Sequence, residues 1–154
     1  SRGLGDVYKR QIMGRIVAID YGRRRCGIAA TDILRLVPGG IATVSTSELT
    51  AWLRRYTTEN DVDMIVVGQP RDMRGNDSES MRYIRPGVAA LRRALPSMPV
   101  VFFDERFTSV LAHRAMIDGG MPKMRRRDKA VVDEIAATII LSDFLDSQQY
   151  KSMQ

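Results

Sequence analysis

The stretch RIVAID, residues 15–20, is a near-continuous apolar run closed by a carboxylate. Such runs suit a strand buried on both faces, and in open α/β sheets ligands bind beyond the carboxyl ends of the strands. A turn at Gly22 to Arg25 follows, then a second strand around 26–31. A third strand fits near 41–44, after Pro38, Gly39 and Gly40. Links this short predict an antiparallel meander of three strands.

Downstream of the meander the period changes. Ser45 and Glu48 have capping-box spacing, and Leu49, Trp52, Leu53 and Tyr56 follow at i, i+3, i+4, i+7 as the apolar stripe of a helix. Residues 64–68 (MIVVG) read as a buried strand, followed by a loop from Pro70 to Gly75. Asn76 and Glu79 predict a capped helix extending to about Leu95, with a kink or break at Pro86-Gly87. Residues 100–104 (VVFFD) are a further buried strand. A helix is expected from about Thr108 to Gly119-Gly120, where Pro122 blocks continuation. A basic loop, KMRRRDK at 123–129, precedes a last helix from about Ala130 to Leu145. The order β-β-β-α-β-α-β-α-α predicts an α/β fold. Three meander strands plus two crossover strands would form a mixed five-stranded sheet flanked by helices.

The 154 residues are long enough for one domain with a real core, and 44% apolar with 27% charged residues excludes a disordered or collagenous chain. No apolar run reaches the roughly 18 residues of a membrane span, and no long basic amphipathic helix points to a membrane surface. A single cysteine, Cys26, excludes an internal disulfide and favours a reducing compartment. Residues 1–12 lack a clear amphipathic period and an apolar signal core; they are expected to be a non-native leader ahead of Met13, with one domain over 13–150. The formal net charge is +6, and 20 of the 24 basic residues are Arg. Guanidinium forks favour partners that carry phosphates or carboxylates.

Three carboxylates stand out by position. Asp20 ends the first strand, and Glu105 follows the last strand just after Asp104. Asp133 shares a helix face with Ala137, Ile140 and Phe144, an apolar face that should point at the sheet. A carboxylate there needs a cation, a hydrogen-bond donor or a wet cleft. Taken singly, each has a structural alternative. Asp20 can shape the turn before Gly22, Glu105 can pair with Arg106 or cap the next helix, and Asp133 can accept from backbone or an Arg. Taken together at one sheet end, they make an oxygen-donor site suited to Mg²⁺ or Mn²⁺. Two such ions can activate water and stabilise the leaving oxygen in phosphodiester cleavage.

Arg23, Arg24 and Arg25 crowd the turn beside Asp20, and Arg125, Arg126, Arg127 and Lys129 precede the helix that carries Asp133. Both runs suit a rim that tracks a nucleic-acid backbone, though either alone could be a solvated surface. Aromatic residues are only 6% of the chain, so backbone and shape recognition is expected rather than base stacking, and Phe107 is expected in the core. One His and one Cys exclude a closed zinc site and leave no credible Ser-His-Asp triad. The Gly22–Gly27 spacing is not a dinucleotide fingerprint.

These residues resemble the YqgF/RuvX-type nucleases, an RNase H-like family described both as Holliday junction resolvases and as pre-16S rRNA nucleases. Four blocks carry the likeness: Ala18-Ile19-Asp20-Tyr21-Gly22 through Arg25, Gly27, Ala29 and Asp32; Val66 to Pro70 with Gly75; Asp104-Glu105-Arg106 with Thr108, Ser109 and Ala112; and Lys129 through Asp133 to Leu141. The likeness spans about 13–147. It implies an RNase H-like fold and makes Asp20, Glu105 and Asp133 the catalytic, metal-binding acids. It also implies that Gly22, Gly68, Pro70 and Gly75 shape loops near the site, and that Arg106 and Lys129 serve as phosphate or structural contacts. Pro86-Gly87 departs from the family's uninterrupted helix.

The expected function is a Mg²⁺- or Mn²⁺-dependent cytoplasmic nuclease that processes the 5′ end of pre-16S rRNA and leaves a 5′-phosphate and a 3′-hydroxyl. The alternatives are a dimeric Holliday junction resolvase in DNA recombination or repair, and a catalytically inactive nucleic-acid-binding module. An actin-like ATPase also opens on an Asp-x-Gly hairpin, but it needs two such domains. The expected partner is an RNA precursor or branched DNA, bound by a monomer or homodimer and not at a membrane.

Overall fold

A computed structural model describes residues 14–105 and 129–154. The leader at 1–12, the helix expected from Thr108, and Arg106, Phe107 and Arg125–Arg127 lie outside the described residues. Five strands form one sheet: β1 Arg15–Tyr21, β2 Arg25–Thr31, β3 Pro38–Ser45, β4 Val62–Gln69 and β5 Val100–Asp104. Their order is β3-β2-β1-β4-β5. The pairs β1–β2 and β2–β3 are antiparallel, and β1–β4 and β4–β5 are parallel. This is the mixed sheet expected from the element order, with RIVAID as its central strand.

Alternation along β1 explains why that run is apolar throughout. Val17 and Ile19 enter a core with α1 (Leu49–Glu59) and α2 (Met81–Ala94), while Ile16 and Ala18 enter a second core with α3 (Lys129–Leu145). In α2 the buried residues are Met81, Ile84, Val88 and Leu91, a single helical stripe. In α3 they are Ala136, Ala137, Ile140, Leu141 and Phe144. A short α4 (Gln148–Lys151) buries Tyr150 against Phe144. Among the described residues no helix is long and apolar enough to cross a membrane.

Local expectations fail in four places. The Ser45 side chain makes no cap bond; a 3₁₀ turn at Thr46–Glu48 precedes Leu49 instead. Thr46 is held elsewhere, its backbone N–H donating to the Arg24 carbonyl and its hydroxyl to the Gly22 carbonyl at 2.7 Å. Asn76 does not open a helix either. Its backbone N–H donates to Asp72 Oδ1 in a tight loop with Gly75 at φ 89°, and α2 starts only at Met81. In addition, α2 runs on through Pro86-Gly87. Pro86 lies on the exposed side, where water can satisfy the carbonyl that its missing N–H leaves over. Pro38, Gly39 and Gly40 belong to β3 rather than to the turn before it, a placement tolerated because β3 is an edge strand.

Candidate active site

Strand register gathers the acids. Asp20 pairs with Gly27 across the β1–β2 hairpin, and on its other side Gly68 lies one position beyond the Ile19–Val67 pair. All three residues face α3, since Asp20 alternates with Ile16 and Ala18. Asp20 thus has a glycine on each flank, and the space those glycines leave is filled by the other two acids. A Cβ on Gly27 would come within 3.0 Å of Asp133, backbone and Cβ alike. A Cβ on Gly68 would run into the Glu105 carboxylate and sit 2.7 Å from Ile140 Cδ1. The missing side chains therefore admit Asp133 on one side of Asp20 and Glu105 on the other.

The result is a cavity of about 220 Å³ lined by Asp20, Glu105 and Asp133, with Tyr21, Gly22, Gly68, Pro70, Ser80, Tyr83 and Ile84. A larger hollow of about 480 Å³, between the end of β5 and α4, holds Asp104, Asp143 and Asp146 and none of the three converging acids. Glu105 is almost wholly buried, at 2% exposure, while Asp133 keeps 21% of its side chain accessible.

Adjacent carboxylates are sorted by strand alternation. Asp104 accepts from Arg71 Nη1 at 3.2 Å, and Arg71 also faces Asp77 at 3.6 Å. Asp77 accepts from Gln69 Nε2 at 3.0 Å and is paired with Arg85. The Arg85 bond, with the Gln69 bond and Arg71 in support, holds the Asp77 carboxyl below its usual range. This network ties down the loop that begins at Pro70, so Asp104 belongs to the frame and Glu105 to the cavity.

The three arginines of the turn take three different places. Arg25 donates from Nε to Asp133 Oδ2 at 2.5 Å. Arg23 lies over the Tyr83 ring, 5.6 Å from its centroid, and Arg24 is exposed. The structural alternative for Asp133, an Arg donor, is therefore realised by the residue that opens β2. Gly22, Gly68 and Pro70 line the cavity; Gly75 does not, its positive φ serving the loop tip instead. Lys129 begins α3.

Sequence reasoning missed two aromatic residues. Tyr21 and Tyr83 both line the cavity and stack on each other with centroids 6.3 Å apart. The Tyr21 hydroxyl rests where a Cβ of Gly87 would be, so the Pro86-Gly87 departure makes room for the ring beside Asp20. Burial, with Cys26 and Tyr83 nearby, pushes the Tyr21 phenol above its ordinary value. Tyr83 could have been found from the α2 stripe, because it lies between the buried Met81 and Ile84 at the helix end nearest the acids.

The donor set is the test of a metal. Asp20, Glu105 and Asp133 offer only carboxylate oxygens, the donor type that Mg²⁺ and Mn²⁺ prefer. As the side chains stand, no group of three His, Cys, Asp or Glu among the described residues is placed to hold an ion. The donors fit in chemistry, they line one cavity, and Asp133 is engaged by Arg25.

Residues 14–147 match the family model RuvX, described as Holliday junction resolvase. The chain belongs to the RuvX family. A relative from Parabacteroides distasonis is 52% identical over 139 residues, covering 90% of this chain and 99% of its own; another from Porphyromonas gingivalis is 52% identical over 135 residues, covering 88% and 98%. Both carry the name "putative pre-16S rRNA nuclease". Among solved structures, T. thermophilus RuvC in complex with a Holliday junction substrate aligns with a TM-score of 0.53 at 12% identity, over 86% of this chain and 95% of that one. That likeness establishes an RNase H-like fold for this RuvX-family chain.

Proposed function

We propose that this RuvX-family protein is a divalent-metal-dependent nuclease whose catalytic acids are Asp20, Glu105 and Asp133, within a single domain over 13–150. The observation that carries the proposal is the pair of glycines flanking Asp20, each leaving the space into which another carboxylate projects. Three carboxylates from separate segments line one cavity, and their oxygens are the donors a hard divalent cation prefers. Bound there, Mg²⁺ or Mn²⁺ would supply Lewis-acid charge to the scissile phosphate and lower the pKa of an attacking water.

The chain's own groups define the rest. Asp20, central and flanked on both sides, and Glu105, almost fully buried, would hold the metal together with Asp133. Arg23, over the Tyr83 ring that lines the cavity, and the exposed Arg24 would meet the phosphates on either side of the cut. Arg106, Arg125, Arg126, Arg127 and Lys129 would extend that rim. The names of the relatives support a pre-16S rRNA precursor as substrate, and the reading adopted is processing of its 5′ end in the cytoplasm.

The family description favours a second reading, resolution of four-way DNA junctions, for which paired cuts would require a dimer. The discriminating experiment offers a labelled pre-16S rRNA 5′ segment and a labelled four-way DNA junction with Mg²⁺, Mn²⁺ or EDTA, alongside Asp20→Asn. Metal-dependent cutting of the RNA alone establishes the processing nuclease. Paired symmetric cuts in the junction establish the resolvase. Binding of both substrates with no cutting overturns the enzyme assignment in favour of a binding module.

A further inference from the structure

We propose that Arg25 is a resident counter-cation for Asp133, and that a substrate phosphate draws it off and thereby opens the site to metal. The inference rests on the nuclease reading and adds to it an order of events: nucleic acid and metal load together.

The geometry sets up the exchange. Arg25 Nε lies 2.5 Å from Asp133 Oδ2, a charge-assisted bond at the short end of its range. Asp133 is the only carboxylate paired with Arg25 among the described residues, and the bond uses Nε alone. The two terminal amines remain for another acceptor, and a phosphodiester oxygen fits them.

Of the two partners, Arg25 is the one able to move. The α3 backbone at Asp133 is pressed against Gly27 too closely to admit a Cβ between them, so the acid is anchored. The Arg25 side chain is 41% exposed, on a long flexible stem at the mouth of β2 next to Gly22. While the guanidinium stays on Asp133, a divalent cation at the same carboxylate would face like-charge repulsion at contact distance. A phosphate at the cavity mouth competes for the guanidinium, and Asp133 is released to ligate. By linkage, metal then tightens nucleic-acid binding by the same factor that nucleic acid tightens metal binding.

The test is Mn²⁺ binding, measured by electron paramagnetic resonance of the free ion, on the full chain without nucleic acid. Arg25→Gln is expected to bind Mn²⁺ about fivefold or more tightly than the parent protein, since couplings of this kind typically begin near that size. Arg25→Lys, which keeps the charge, is expected to stay close to the parent. In the parent, a phosphorothioate RNA strand that resists cutting should raise Mn²⁺ affinity; in Arg25→Gln that enhancement should largely vanish. In cleavage assays Arg25→Gln should raise KM more than it lowers kcat. Circular dichroism melts establish that each variant is folded.

Unchanged or weaker Mn²⁺ binding by folded Arg25→Gln overturns the proposal while leaving the nuclease assignment intact. Failure of that assignment has a different signature: neither the parent nor Arg25→Gln binds Mn²⁺, and Asp133→Asn changes nothing, in which case both claims fall.

Discussion

Replacing each of three sheet glycines by alanine separates the architecture of the site from the stability of the sheet. At Gly27 a new Cβ would meet the α3 backbone at Asp133 well inside 3.0 Å, where ordinary contact needs 3.4–4 Å. Backbone cannot rotate away, so helix and strand must part by on the order of 1 Å. Overpacking of this kind costs about 1–3 kcal/mol. A shift of that size at a catalytic group costs on the order of 100-fold in rate. Gly27→Ala should therefore lose both stability and activity.

At Gly68 the obstacles are different: the Glu105 carboxylate and Ile140 Cδ1, the far ends of two side chains. These can yield, so the stability loss should sit near the low end, about 1 kcal/mol. The group that yields is nonetheless one of the three acids proposed to be catalytic, and the rate should still fall on the order of 100-fold. At Gly39 a Cβ would meet nothing within 4 Å. There Gly39→Ala should be neutral or stabilising by about 0.4–1 kcal/mol, through the reduced entropy of the unfolded chain, with activity unchanged. Urea unfolding followed by circular dichroism gives the stabilities, and single-turnover cleavage of the labelled rRNA segment with Mg²⁺ gives the rates. A Gly68→Ala protein that cuts at the parent rate would refute the reasoning, as would a Gly39→Ala protein that is as damaged as Gly27→Ala.

Three further outcomes follow from the same structure. Asp20→Asn should abolish cleavage and keep both the fold and most nucleic-acid binding, read by gel shift beside the cleavage assay; full activity would remove Asp20 from the mechanism. Tyr83→Ala removes the ring that carries Arg23 and stacks on Tyr21, so it should weaken binding at the cavity mouth. The expected loss is about 1–3 kcal/mol in a filter-binding titration, the size of one stacked base, and unchanged binding would remove the ring from the substrate path. Cys26 is buried, and burial pushes its thiol above the ordinary 9.0 despite the opposing bond with Thr46. Its contribution to stability is then fully present below pH 9 and is lost as pH climbs through the raised value. Urea midpoints should fall less steeply above pH 9 for Cys26→Ala than for the parent, and equal slopes would count against a raised thiol.

The reach of sequence reasoning here follows from what a linear pattern encodes. Burial on both faces leaves a continuous apolar run, so RIVAID, MIVVG and VVFFD announced their strands and the helix stripes announced the layers. A strand's end is also visible in sequence, which is why Asp20 and Glu105 could be named. Side-chain capping is a competition among local donors and acceptors, and here the Thr46 hydroxyl and the Asp72 carboxylate won it through partners that spacing alone does not reveal. The roles of Gly27 and Arg25 depend on register. Even so, the register was within reach: a tight turn at 22–25 pairs Tyr21 with Cys26 and hence Asp20 with Gly27, by counting outward. That count places a residue without a side chain directly beside the central acid, on the face where the last helix must pack. A helix carrying Asp133 and packed over that vacancy has to deliver its carboxylate next to Asp20. Arg25, two positions before Gly27 and on the same face, is then the nearest cation to receive it. What could not be counted is whether that arginine stays when metal and phosphate arrive, because its position reflects a balance between three charged partners rather than any local pattern.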